Sequence, residues 1–365
     1  MSSTTIGRRG RAPRYLPPLL AVDWLRRNLF GSVFNTALTI AVLMLAWLIV
    51  PPLVRWAVAH ATFSGMTRAA CRGDGACWTF IRVRLPHFFY GDYPSDLYWR
   101  VDAAFALVAG FCVPVLRDGT RRRWLFMLLL LTAVPALGWV LLAGGLLGLA
   151  YVDTSLWGGL MLDVIITFVT VAGSLPLGIL LAFGRRSRLR GVRMLSIGYI
   201  EIWRGVPLLT VLFLSAVVLP LFLPNGVSVD RLLRAMAALV LFNAAYMAEV
   251  VRGGLQGVSS SQEEAAYSLG LSWWQAQAFV VLPQAMRIIV PGIINTVVDL
   301  FKDTTLVTII GLFDLLGSVE QALKDPAWLG FATEGYVFSA MIFFVCCFAM
   351  SAYGRSMERR LGRGD

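Results

Sequence analysis

Long apolar runs constrain the fold of this chain more than any other feature of its sequence. The hydrocarbon core of a bilayer is about 30 Å thick, and a helix needs roughly 20 apolar residues to cross it. Runs of this kind recur at 29–50, 101–116, 124–149, 158–183, 206–223, 232–251, 280–300 and 336–353. Because 58% of the residues are hydrophobic and only 15% are charged, polar groups are too few to cover a soluble domain. We predict an all-α polytopic membrane protein with about eight transmembrane helices.

Arginine clusters at the ends of these runs indicate the orientation in the membrane. They precede the first run, separate the second from the third, and follow the fourth and the last: Arg8, Arg9, Arg11, Arg14, Arg26, Arg27; Arg117, Arg121, Arg122, Arg123; Arg185, Arg186, Arg188, Arg190, Arg193; Arg355, Arg359, Arg360, Arg363. If eight helices alternate, all four clusters lie on one side, and the positive side is the cytoplasmic side. We therefore predict a bacterial inner (plasma) membrane protein with both termini in the cytoplasm.

The segment at about 55–100 then becomes a periplasmic loop. It carries six arginines, but the charge rule is weak for loops of this length. Cys71 and Cys77 lie in it and either form a small disulfide or remain two unpaired thiols. The other cysteines, Cys112, Cys346 and Cys347, fall within apolar runs and are predicted to be packing residues.

Composition also argues against several functional classes. The two lysines, Lys302 and Lys324, do not follow a glycine-rich loop, so the chain has no P-loop for ATP. The two histidines, His60 and His87, lie outside the long apolar runs, which argues against a haem held between membrane helices. Neither a metal-ligand spacing nor a nucleophile motif supports a membrane-embedded enzyme. The charge of +11 is spread in short bursts, which reflects topology rather than nucleic-acid binding. We predict no catalytic residues, cofactor or metal.

The most specific pattern lies between the sixth and seventh runs, on the predicted cytoplasmic side. Ser261 and Glu264 have the spacing of a capping box, and Ser272 and Gln275 repeat it. Gly270 stands where the first of two helices would close in the left-handed conformation. The stretch therefore predicts two short helices joined at a glycine, a compact shape that can insert into a groove on a partner.

This stretch resembles the cytoplasmic signature loop of ABC-importer permeases. The family pattern is Glu-Ala-Ala, three residues, Gly, nine residues, Ile, one residue, Leu-Pro. It is filled in register, with Val280 replacing the isoleucine, by Glu264, Ala265, Ala266, Gly270, Val280, Leu282 and Pro283. The resemblance implies that the loop docks on a separate ATPase subunit and couples it to the membrane helices. The alternative is a capped interfacial helix pair without a partner, in which Glu264 only caps its own helix.

Other motifs extend the resemblance over most of the second half of the chain. The strings 176–178 (PLG), 201–207 (EIWRGVP), 245–254 (AYMAEVVRGG) and 301–306 (FKDTTL) are similar to those of permeases for polar amino acids. The additional N-terminal spans most resemble the longer permease of the general L-amino-acid importer. The resemblance implies a type I permease core at 158–354 with its coupling loop at about 253–283. A cytoplasmic tail at 1–28 and three extra transmembrane helices at 29–157 would precede the core, and a cytoplasmic tail at 355–365 would follow it.

The resemblance also implies partners and a mechanism. Two permease subunits would alternate access to one pathway, driven by ABC ATPase subunits and supplied by a periplasmic amino-acid-binding protein. A heterodimer with a second, related permease is favoured, with an L-amino acid as substrate. The competing hypothesis is a secondary transporter of small polar solutes driven by an ion gradient, which would not need the loop at 264–283.

Ionisable residues at membrane depth mark a candidate substrate path, because charges there are costly. They are Asp163, Glu201, Arg204, Glu249, Asp299, Lys302 and Asp303. An amino acid carries a carboxylate and an ammonium group, so we predict Arg204 and Glu249 as its two binding poles, with Asn243 and Tyr246 nearby.

The alternative is structural pairing at i and i+3, of Glu201 with Arg204 and of Glu249 with Arg252. Lys302 and Asp303 are predicted to be outer-interface groups rather than ligands.

Overall fold

The computed structural model describes residues 18–71, 73–117, 119–222, 224 and 228–361. These residues are almost entirely helical, and the described chain contains only isolated β-bridges. It divides into two compact units, Met1–Thr79 and Phe80–Asp365. Of the arginines used to predict orientation, Arg8, Arg9, Arg11, Arg14 and Arg363 lie outside the described residues.

The first unit is built around one long apolar helix. Its elements are α1 (Pro18–Leu29), α2 (Val33–Val54) and a π-helical turn at Arg55–Ala59. The Ser32 hydroxyl accepts a hydrogen bond from the Asn35 backbone N–H at 3.1 Å, which satisfies one free donor at the start of α2. The 27 residues from Val33 to Ala59 are long and apolar enough to cross a membrane. Cys71 and Cys77 form a disulfide with Cα atoms 5.5 Å apart, so the structure contains the paired alternative.

The second unit is a helical bundle. Its helices are α3 (Trp78–Tyr90), which begins at the unit boundary, α4 (Tyr98–Leu116), α5 (Arg123–Leu131), α6 (Ala133–Ala143), α7 (Gly159–Arg185), α8 (Arg190–Gly205), α9 (Leu208–Phe213), α10 (Arg231–Gln256), α11 (Ser260–Ser268), α12 (Trp273–Ala276), α13 (Leu282–Asp303), α14 (Leu315–Leu323) and α15 (Ala332–Leu361). In the described chain, 6 helices are long and apolar enough to span a membrane, or up to 8 if each of two bent pairs is one span. The predicted all-α polytopic fold is therefore confirmed.

The two bent pairs differ from the straight helices that the apolar runs predict. The third run predicts one helix to 149, but α5 and α6 meet at 40° and α6 ends at Ala143. The fifth run is joined to α8 at an angle of 99°. Pro207 explains this second bend, because a proline disfavours helical geometry at the preceding residue. Val206 is accordingly extended, with φ −106° and ψ 136°.

The core of the second unit lies where α10 packs against α7, α8 and α13. Asp230 caps α10 by accepting a hydrogen bond from the Leu233 N–H at 2.9 Å. A side chain at Gly178 on α7 would meet Met247 Cβ at only 2.5 Å, so glycine permits the close approach of α7 and α10. This contact fixes the relative position of α7 and α10, whose C-terminal ends carry the charged residues described below.

Candidate functional site

The loop between α10 and α13 contains one separate short helix, α11, whereas the second predicted short helix, α12, continues through a π-helical turn at Gln277–Val281 into α13. The first, α11, ends at a glycine in the left-handed conformation, Gly270 with φ +81°. The Leu271 N–H donates to Ala266 O at 3.2 Å and the Gly270 N–H donates to Tyr267 O at 2.9 Å. This pair of bonds is the Schellman arrangement, which satisfies the last carbonyls of a helix. The predicted left-handed glycine is confirmed.

Only one of the two predicted capping boxes is present. Ser272 and Gln275 form it, with reciprocal side-chain to backbone hydrogen bonds at the start of α12. The predicted box of Ser261 with Glu264 is wrong, because α11 begins two residues earlier than that box requires, with Ser259 as its cap. Ser261 therefore lies inside the helix, where its hydroxyl is 2.7 Å from that of Ser259. Because this box is absent, the interpretation that Glu264 caps its own helix is also wrong.

The loop is held to the bundle by Glu263, a residue that the sequence pattern did not single out. Its Oε1 accepts hydrogen bonds from Tyr267 Oη at 2.7 Å and from Gln277 Nε2 at 2.9 Å. Its Oε2 lies 3.5 Å from Arg186 Nη2, just beyond the end of α7. The bond from Tyr267 to this carboxylate raises the pKa of the tyrosine. Glu263 thus links α11 both to the π-helical turn that contains Gln277 and to the end of α7.

The remaining residues of the family pattern divide into anchors and exposed positions. Ala266 is buried, whereas Glu264, Ala265, Gly270 and Pro283 are exposed. No ion pair or hydrogen bond engages the Glu264 carboxylate within the described part of the chain. Leu282 and Pro283 begin α13 directly after the π-helical turn at Gln277–Val281, where the missing N–H of the proline interrupts the regular helical hydrogen bonding. The loop therefore presents a free carboxylate beside a rigid turn.

A cluster of charges joins the C-terminal ends of three helices, α7, α8 and α10, at Glu249 on α10. Its Oε1 is 2.7 Å from Arg185 Nη1 on α7, and its Oε2 is 2.7 Å from Arg252 Nη2. Arg204 Nη1 on α8 lies 3.8 Å from the same Oε2. The Glu249 side chain is only 17% exposed, so its charge needs these partners.

This cluster decides between the two predicted intrahelical pairs. The pairing of Glu249 with Arg252 is confirmed by the contact at 2.7 Å. The pairing of Glu201 with Arg204 is wrong, because each residue faces a neighbouring helix instead. Glu201 Oε1 lies 3.6 Å from Arg185 Nη1, and Arg204 approaches Glu249. Arg185 and Arg186, adjacent in sequence, therefore contact two different parts of the molecule, the cluster at Glu249 and the loop at Glu263.

A cavity of about 510 Å³ lies beside this cluster, between α8, α10 and α13. Three of the four predicted path residues line it: Arg204, Asn243 and Tyr246. The Arg204 guanidinium lies 5.8 Å from the centre of the Tyr246 ring, and Asn243 Nδ2 donates to Leu239 O at 3.0 Å. Glu249 is not among the lining residues, because it is turned toward the arginines.

Two carboxylates that the sequence analysis did not select as binding poles also line this cavity. They are Asp299 and Asp303, four residues apart on one face of α13. Asp299 Oδ1 is 2.9 Å from Lys302 Nζ, while no cation of the described chain lies within ion-pair distance of Asp303. The structure thus places Asp303 on the lining of this cavity, beside Asp299. Their i, i+4 spacing was the available signal, since such residues share a helix face.

Asp163, another ionisable residue predicted at membrane depth, does not line this cavity but lies in the protein core. It is fully buried on α7, where it accepts hydrogen bonds from the Thr304 hydroxyl and, at 3.0 Å, from the Leu315 N–H. These donors tie α7 to the turn at Thr304 and to the start of α14, and they satisfy both oxygens of the carboxyl group.

The chain combines membrane-spanning helices with a helical loop and a polar cavity between the helices. This combination is typical of a membrane transport protein. The chain belongs to the family of binding-protein-dependent transport system inner membrane components, whose profile matches residues 174–363. Such a component is a multi-pass inner-membrane protein that works with an ABC ATPase and a substrate-binding protein. The competing secondary-transporter hypothesis is not favoured.

Two relatives match along nearly the whole chain. The inner membrane amino-acid ABC transporter permease protein YhdY of Escherichia coli (strain K12) is 49% identical, and the match covers 94% of each chain. The glutamate/glutamine/aspartate/asparagine transport system permease protein BztC of Rhodobacter capsulatus is 38% identical over 96% of each chain. The crystal structure of an amino acid ABC transporter with histidines contains a chain that is 30% identical, with a TM-score of 0.50. That match covers 55% of this chain and 92% of the solved one.

Proposed function

We propose that this chain is the translocation subunit of an ATP-driven importer of L-amino acids, coupled to its ATPase through the loop at 264–283. The observation that supports this proposal is that Glu263 anchors the loop to the bundle, while large apolar side chains of the loop remain exposed to solvent. Leu269 is 82% exposed and Trp274 is 72% exposed, on either side of Gly270. Apolar side chains of this size, with the free Glu264 carboxylate beside them, suit insertion into a groove on a partner.

The assembly follows from this role. One chain supplies one docking loop, so two permease subunits are needed to engage two ATPase subunits. We favour a heterodimer with a second, related permease, supplied by a periplasmic amino-acid-binding protein. The arginine clusters support an orientation with both termini and the docking loop in the cytoplasm. ATP hydrolysis belongs to the partner subunit.

The cavity at Arg204 is the proposed part of the substrate path on this chain. Arg204 supplies a cation for the carboxylate of an amino acid, and Asn243 and Tyr246 supply polar groups beside it. Asp303 replaces Glu249 as the anionic pole, because Glu249 is already surrounded by arginines. A zwitterion fits a cavity that carries one cation and a free carboxylate on opposite helices.

Coupling to ATP is tested by uptake into proteoliposomes that contain this chain, its partner permease and the ATPase, with the binding protein outside. We expect labelled amino acid to accumulate only with hydrolysable ATP at the ATPase side. A non-hydrolysable ATP analogue is the matched control. Uptake driven by an imposed ion gradient alone would falsify the proposal.

Arg204→Gln tests the cavity. We expect kcat/KM for uptake to fall about tenfold, because the loss of one charge-assisted hydrogen bond corresponds to roughly 1.5–3 kcal/mol. Arg193→Gln, on the exposed first turn of the same helix, makes the same change of charge and should stay within about twofold of the wild type. Equal losses in the two variants would mean that Arg204 does not contact the substrate.

A further inference from the structure

A second and larger cavity lies where α7 and α10 end and α11 begins. It has a volume of about 690 Å³ and shares no lining residue with the cavity at Arg204. Its polar lining includes three arginines, two serines and one glutamate: Arg185, Arg186, Arg252, Ser259, Ser260 and Glu263. The translocation mechanism proposed above does not use this space.

Hydrogen-bond donors outnumber acceptors around this cavity. Three guanidiniums with five N–H groups each face one lining carboxylate, Glu263. Glu249 neutralises Arg185 and Arg252 from outside the lining, whereas the one ion pair of Arg186 among the described residues is the contact at 3.5 Å to Glu263. The Glu263 carboxylate is also shared with Tyr267 and Gln277. Arg186 is therefore the guanidinium with the most unused donors.

We propose that this cavity binds a phosphate group. Guanidinium forks match phosphate oxygens, and several of them can share one phosphate. The position also favours this ligand, since Arg185 is the last residue of a membrane span and basic pockets between helices at this level bind phospholipid headgroups. The volume exceeds that of a single acidic side chain, which disfavours a partner carboxylate as the occupant. The phosphate comes either from an anionic phospholipid or from a soluble phosphate compound of the cytoplasm.

The experiment uses the assembled transporter, so that every partner is in place. Short-chain phosphatidylglycerol is titrated in one arm and inorganic pyrophosphate in the other, with phosphatidylcholine and sulfate as references. Saturable binding of either probe supports the proposal and identifies the source. Binding of neither, or binding to the isolated chain that is lost in the complex, overturns it, because a partner then fills the cavity.

Three variants localise the site. Arg186→Gln should weaken binding about tenfold. Arg188→Gln removes the same charge from an exposed position outside the lining and should change affinity less than about twofold. Glu263→Gln removes the lining carboxylate and should strengthen binding, a gain that misfolding does not produce. Equal effects at 186 and 188, or weaker binding by the Glu263 variant, contradict the assignment.

Discussion

Replacing Gly270 by proline is expected to abolish ATP-dependent uptake while the protein remains in the membrane at its normal level. The glycine has φ +81°, whereas proline is locked near −65° and lacks the N–H that donates to Tyr267 O. The mismatch costs about 3 kcal/mol or more at the joint between α11 and α12. A Cβ at this position meets nothing within 4 Å, so the damage stays local to the loop. The membrane-spanning helices do not depend on the backbone conformation at Gly270.

Gly270→Asn is the matched control, because asparagine tolerates the left-handed conformation better than other residues with a side chain. We expect this variant to keep most of the uptake. The measurements are membrane abundance, ATP-driven uptake, and ATP hydrolysis in the presence of the loaded binding protein. Normal uptake by the proline variant would show that the conformation of this joint does not matter for coupling.

The second large effect is expected from Glu249→Ala. Removal of this carboxylate leaves Arg185, Arg204 and Arg252 close together without the anion that they surround. Leaving a buried charge unpaired costs about 3–5 kcal/mol, and the cost is smaller here because the side chains of Arg185, Arg204 and Arg252 are 28%, 39% and 31% exposed. We expect a lower unfolding midpoint in detergent and little uptake, because α7, α8 and α10 lose their common contact.

Two further variants separate charge from packing at this cluster. Glu249→Gln keeps the shape of the side chain and isolates the effect of its charge. Glu201→Gln removes a carboxylate that is 59% exposed and 3.6 Å from Arg185, and exposed pairs contribute only about 0–1 kcal/mol. The Glu201 variant should therefore unfold close to the wild type. If the Glu249→Ala protein unfolds at the same midpoint as the Glu201→Gln protein, Glu249 does not hold the charge cluster together.

The loop shows which structural features a local sequence pattern can predict. Gly270 and the box of Ser272 with Gln275 were predictable, because a left-handed closure and a capping box involve neighbours within a few residues. The box of Ser261 with Glu264 has the same spacing and is absent, since the helix starts at Ser260. Glu263 was missed because Arg186 and Gln277, two of its partners, lie on other elements.

The candidate substrate path shows the same difference between features that the local sequence predicts and features that it does not. Arg204, Asn243 and Tyr246 were predicted from charge and helix position, and they line one cavity. Glu249 was predicted beside them but faces α7, and Asp303 was assigned to the interface but faces the cavity. The direction in which each carboxylate points depends on which helices pack against it, and the helical period of one segment does not contain that information.

The sequence by itself determined the membrane class, the approximate number of spans, the glycine joint of the loop and the family pattern. Each of these depends on composition or on contacts between residues close along the chain. Only the tertiary structure decided the partners of Glu249 and Glu263 and the presence of two separate polar cavities. These features arise where α7, α8, α10 and α13 meet, because a charge removed from water takes the nearest opposite charge that packing brings to it.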